Sequence, residues 1–173
     1  YHSYTAYDEN SGATYLEPYN EVYAKDVPPT SQDFRLSGHF RSSTGITRFL
    51  KTTDYYTIEG NVPENRTSLI TGITLLHTSE MYLIAAEAKS EDLSAGLSYV
   101  NVLRSNRGVN PLSALTYENL QYEYIRELYG EGQIFFMYKR MFSPILRSSQ
   151  AGGPVEPEDK VFVLPLPDPE IEN

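Results

Sequence analysis

Cysteine and tryptophan are both absent from the 173 residues, and histidine occurs three times. The lack of cysteine excludes disulfides and thiolate metal sites, and it leaves redox chemistry silent about compartment. His2, His39 and His77 are far apart, with no two at ligand spacing, so the sequence offers neither a zinc site nor a histidine acid–base pair. Positive charge is also scarce. Fourteen basic residues against twenty-three acidic ones give a formal charge of −9, which argues against nucleic acid or an anionic lipid surface as partner and would not trouble a neutral one. No run approaches the about eighteen apolar residues of a membrane span. There is no Gly-x-Ser-x-Gly elbow, phosphate-binding glycine loop or dinucleotide fingerprint, so no enzyme class or cofactor finds support.

What the chain does hold is ordinary globular material in a length sufficient for one domain with a core. Of its twenty-two aromatic residues fifteen are tyrosine, a side chain that offers a flat apolar face together with a hydroxyl. Tyr15, Tyr19 and Tyr23 recur every four residues around Pro18, and Tyr55 and Tyr56 are adjacent in an extended run, where neighbouring side chains point to opposite faces.

The organisation changes near residue 75. Residues 1–74 are rich in Tyr, Ser, Thr, Asn and Gly and are interrupted by Pro18, Pro28, Pro29 and Pro63, which predicts loop-rich structure with short strands at 35–40 and 55–59. Residues 75–173 read as helical. Met81, Ile84, Ala85 and Ala88 mark one face of a first helix, with Leu76, Leu83 and Ala86 extending apolarity around it; Leu93, Leu97, Val100 and Leu103 mark a second helix that stops at Gly108. Together they predict a hairpin over 75–109, close to the length of a tetratricopeptide repeat, with Ala95 and Gly96 allowing close approach. A kinked helix is expected over 117–141. Thr116 caps its start, Leu120, Tyr124 and Leu128 form its face, and Gly130 and Gly132 break it before Phe135, Phe136 and Tyr138. That aromatic piece is expected to be clamped on both sides, and Val161 to Pro167 to be extended.

Three blocks of this half, in order, carry a family resemblance. Arg126-Glu127 followed by Gly130-Glu131-Gly132, two aromatics and Lys139-Arg140 resembles the signature of the SusD/RagB family, cell-surface glycan-binding lipoproteins of Bacteroidetes. Ser79 to Ala88, ending Ala-Glu-Ala, resembles that family's apolar helix, and Leu164-Pro165-Leu166-Pro167 with Glu170-Ile171 and Asn173 resembles its closing pattern. Before residue 75 only Asp33-Phe34-Arg35-Leu36 is similar, to an Asp-x-Arg element. Ile134 and Met137 stand where family members often carry Arg and Asp, and the absence of tryptophan excludes a platform built on that ring.

The resemblance implies a mainly α fold: the C-terminal part of a tetratricopeptide-type helical superhelix, preceded by the loop-rich segment with its short strands. It also implies a non-catalytic glycan-binding role in nutrient uptake at the outer membrane, with an oligosaccharide or polysaccharide as ligand and a SusC-like TonB-dependent porin as partner. A lipid anchor would lie on a preceding part of the protein, because the chain starts at Tyr1 without methionine, signal peptide or modified cysteine. From another class, a tetratricopeptide-like scaffold binding peptides or proteins fits the same pattern.

For a sugar, the expected contacts are Tyr15, Tyr19, Tyr23, Tyr55 and Tyr56, whose rings can stack on pyranose faces, with polar help from Asp33, Arg35 and Asn61. The helical half carries charges that must find partners. Glu87, Glu127 and Glu131 are expected to pair with Arg104, Arg107, Arg126 or Arg140, and Glu87 in particular to be buried against Arg104 or Arg126. Glu80 and Glu87 lie two turns apart, roughly 10 Å along the helix axis, too far for a retaining glycosidase pair and marginal for an inverting one. Asn65-Arg66-Thr67 has the form of a glycosylation acceptor and is read as chance.

Overall fold

The computed structural model describes residues 22–23, 32–43, 46–49, 76–89, 92–146 and 153–163, and the fold is mainly α. The chain divides into two compact units, Tyr1–Glu131 and Gly132–Asn173. The first holds α1 (Phe34–His39), β1 (Phe40–Ser43), β2 (Ile46–Phe49), α2 (Thr78–Glu87), α3 (Leu93–Asn106) and α4 (Tyr117–Leu128). The second holds α5 (Ile134–Met141), α6 (Asp159–Phe162) and one antiparallel bridge between Ile145 and Val155.

In the first unit α2 and α3 form the expected hairpin and α4 packs against both. Each boundary has a local cause. Asp92 caps α3 by accepting from Ser94 N at 3.0 Å, and Gly108, at φ +75°, turns the chain out of it. Thr116 and Asn119 form a capping box at the start of α4. The helix ends before Gly130 and Gly132, at φ +74° and +78°, a region costly for residues with a Cβ.

The core is the seam of these three helices: Leu83 and Ala86 from α2, Val100 and Leu103 from α3, Leu120, Tyr124 and Leu128 from α4. The expected face of α4 is therefore the one that is buried. Gly96 makes the α2–α3 approach possible, since a Cβ there would sit 2.8 Å from the Ala86 carbonyl oxygen, whereas Ala95 is exposed. On α2 the expectation is corrected. The buried stripe is Ser79, Leu83 and Ala86, while Met81 and Ile84 are 47% and 44% exposed. The helix is apolar on both sides, so composition did not choose the face; the close approach at Gly96 did.

Residues 35–40 are also corrected from strand to helix. The Asp33 carboxylate accepts from Arg35 N at 2.9 Å and so starts α1. Extended structure begins only at Phe40, where β1 pairs antiparallel with β2 in the register Phe40 to Phe49 and Ser42 to Thr47. The expected strand at 55–59 lies outside the described residues.

In the second unit Met137 and Tyr138 are buried on α5, but Phe135 and Phe136 are 44% and 58% exposed, so the aromatic run is covered on one side only. Phe142 ends α5 in the left-handed region, at φ 45° and ψ 53°, and its ring meets Phe162 at 5.9 Å. Val161 and Phe162 belong to the helical turn α6 and are not extended; the family-like closing pattern at 164–173 lies outside the described residues.

Candidate functional site

The chemically richest place among the described residues is a buried ion cluster in the first unit. Its centre is Glu123, completely buried on α4. Arg104 from α3 and Arg126 from the next turn of α4 donate to Glu123 Oε1, at 2.5 and 2.7 Å. Arg35, from α1, donates through Nη1 to Glu123 Oε2 at 2.9 Å and to Glu127 Oε2 at 3.2 Å. The rest of the Arg35 fork grips Asp33, Nε to Oδ1 at 2.9 Å and Nη2 to Oδ2 at 2.7 Å. Arg107, at the C-cap of α3, closes on Glu127 with both Nε and Nη2, at 3.2 and 2.6 Å.

Backbone groups and one phenol complete the arrangement. Arg104 Nε donates to the Asn110 carbonyl at 2.9 Å and Arg126 Nε to the Val22 carbonyl at 2.8 Å. Tyr23 donates its hydroxyl to the Arg126 carbonyl at 2.8 Å. That proton is then committed, so His39 Nδ1, 3.0 Å from the same oxygen, must carry a hydrogen and donate it. Hydrogen-bond arithmetic alone thus sets the histidine tautomer.

Burial and charge oppose each other in this cluster. Burial by itself pushes the Glu127 carboxyl up, but the Arg107 hydrogen bonds and the Arg35 charge outweigh it and hold the group at about 2. Glu123 is likewise pulled below its ordinary value: burial raises it, and Arg35, Arg126 and Arg104 more than offset that. Arg35 is pushed up, because its bonds to Asp33 and the nearby Glu123 exceed the effect of burial, whereas burial brings Arg126 down despite Glu123. Tyr23 is driven well above the ordinary phenol range by burial. Glu123 and Glu127 are therefore ionised at neutral pH and held by guanidinium groups in fixed bidentate or shared geometry. Such an arrangement has no poised proton to give or take and no open coordination position. It is structural chemistry.

This redistributes the expected site residues. Tyr23, Asp33 and Arg35 are 2%, 3% and 3% exposed, so the assignment of these three to ligand contacts is corrected: the tyrosine ring is packed edge-on against Phe40, and the other two side chains are consumed by each other and by α4. Tyr15, Tyr19, Tyr55, Tyr56 and Asn61 lie outside the described residues. Among the expected ion pairs, Glu127 does meet Arg107. Arg104 and Arg126 are buried as ion-pair members, but the carboxylate between them is Glu123. Glu87, expected there, is half-buried and accepts from Tyr124 Oη at 2.6 Å. Glu131 meets His77 Nε2 at 3.0 Å, and Arg140 is exposed on the last turn of α5 in the second unit.

Sequence reasoning missed Glu123 as the centre, although a signal existed. Glu123 and Glu127 stand at helical spacing on the same side of α4 as Leu120 and Tyr124, so charge on an apolar face announced itself. Among the described residues no group of His, Asp and Glu could hold a metal ion, and no helix is long and apolar enough to cross a membrane. Comparison of the chain with protein-family models, with curated proteins and with solved structures returns no match.

Proposed function

We propose that the chain is a non-catalytic glycan-binding component of a nutrient uptake system, built as the C-terminal part of a SusD-like helical superhelix. The observation that carries this reading is the order of its three motif blocks along the helical half. It is supported by the mainly α fold and by the place of Arg126 and Glu127, the charged pair that opens the central block, in the buried ion cluster of the described residues. Under this reading the motif residues hold the domain together and ligand contacts fall to Tyr15, Tyr19, Tyr55, Tyr56 and Asn61. The ligand is an oligosaccharide or polysaccharide, and the setting is the outer face of the outer membrane beside a TonB-dependent porin. A preceding part of the same protein bears the lipid anchor and further repeats.

Affinity gels over a panel of neutral polysaccharides test it, with alanine replacing Tyr15, Tyr19, Tyr55 and Tyr56 singly. At least one polysaccharide should retard the chain. A ring that stacks on sugar should cost on the order of 1 to 3 kcal/mol when removed, by analogy with aromatic stacking on other flat ligands. Mobility unchanged on every gel would end the reading.

One observation favours a second reading, a peptide-binding or protein-binding scaffold. The outward faces of α2 and α3 expose Met81, Ile84, Tyr99 and Val102 at helical spacing, the kind of surface that takes a helix or an extended peptide. Retention of the chain by peptides and by no polysaccharide would select it.

A further inference from the structure

The ion cluster joins two pieces of chain that are each satisfied without the other. Arg35 and Asp33 lie two residues apart and face one another with two parallel hydrogen bonds, so the piece of chain that opens with α1 carries its own closed ion pair. On the helices, Glu123 is held by Arg104 and Arg126 and Glu127 by Arg107, so that side is paired too. Among the described residues, the polar links between the halves are one nitrogen, Arg35 Nη1, shared between Glu123 and Glu127, the Phe34 amide donating to the Arg107 carbonyl at 2.9 Å, and His39, which reaches the Arg126 carbonyl through the Tyr23 hydroxyl.

Among the described side chains, two rings carry the apolar part of that link. The one buried residue of α1 is Arg35, and Phe40 is the buried apolar residue that follows it, packed against Tyr23 and Tyr129. Phe34 lays its ring over Gly108 but remains 59% exposed. A six-residue helix and a hairpin of four-residue strands have too little local stability to persist unattached.

We propose that α1 and the paired strands β1 and β2 form a strap latched onto the α3–α4 pair by Arg35, able to open as a unit while the three-helix seam stays folded. Opening withdraws a neutral Asp33–Arg35 pair from a helix side on which Glu123 and Glu127 keep their own arginine partners, so it orphans no buried carboxylate and costs less than unfolding the seam. An open strap uncovers Glu123 and Glu127 with Arg104, Arg107 and Arg126 around them, turning a closed cluster into a charged surface. The strap is thus an ordering device, independent of which ligand the protein takes.

Native-state hydrogen exchange on the intact chain at neutral pH tests this. With increasing low denaturant, amides of 34–43 should open through a smaller, less denaturant-sensitive step than those of α4, already in the unaltered protein. In Arg35→Met, exchange over 34–43 should rise at least tenfold while amides buried in α2, α3 and α4 change by less than about twofold. Arg35→Lys, which keeps the charge and loses the fork, should fall between. Equal opening of the strap and the helices in the unaltered protein overturns the proposal. So does loss of protection in step across all four elements in Arg35→Met, including outright failure to fold, and so does no change at all.

Discussion

Glu123→Gln removes one negative charge from a position where three guanidinium groups converge. The substitution keeps shape and volume, so it isolates charge. Glutamine can still accept through its carbonyl oxygen, but its amide nitrogen would face at least one arginine donor, leaving guanidinium charge buried without a counterion. Breaking a buried ion pair in this way costs roughly 3 to 5 kcal/mol. Set against a typical domain stability of about 5 to 15 kcal/mol, the loss takes a large share. For a chain of this length it corresponds to a fall in melting temperature of roughly 6 to 20 °C.

Urea unfolding followed by far-ultraviolet circular dichroism measures it, with Glu158→Gln as control. That residue's pairing with Lys160 joins side chains 53% and 78% exposed, and such pairs contribute little. A Glu123→Gln loss below about 1 kcal/mol would refute the claim that unpaired guanidinium charge governs this site.

Acid should act through Glu127. Its folded-state value of about 2 lies below the ordinary 4.5, so its contribution is fully present above about pH 5 and is lost as the pH falls through 2, where the folded carboxyl takes up its proton. At about 1.4 kcal/mol per pH unit, the separation makes a contribution of about 3 kcal/mol; stability measured at pH 6 and pH 2.5 should differ by markedly less in Glu127→Gln than in the parent. Gly108→Ala should cost at least about 1 kcal/mol for its positive φ, plus a clash, since the new Cβ would lie 2.7 Å from the Phe34 ring; the clash part should disappear in a Phe34→Ala background, which a double-mutant cycle reads directly. Tyr124→Phe removes the 2.6 Å bond to Glu87 and should cost about 1 to 3 kcal/mol in urea unfolding, and an unchanged midpoint would mean the bond contributes nothing net.

The helices α2 to α5 and several of their ends were legible in the sequence because they are set by neighbours in the chain. Thr116 with the next turn, Gly108, Gly130 and Gly132 at their left-handed positions, and the four-residue recurrence of Leu120, Tyr124 and Leu128 are local facts, and the structure places each as read. The partner of a charge is not local. Arg35 reaches Glu123 across 88 positions, and Tyr23 reaches the Arg126 carbonyl across 103, so nothing in the run Asp33-Phe34-Arg35-Leu36 distinguishes a ligand contact from a latch. The same holds for α2, whose apolar residues surround the helix. Only the contact of Gly96 with Ala86 decided that Leu83 would be buried and Met81 would not. Composition sets how much apolar and charged surface a helix carries; which part of it meets water is a property of the helices packed together, because burial is shared between surfaces that the chain brings together only on folding.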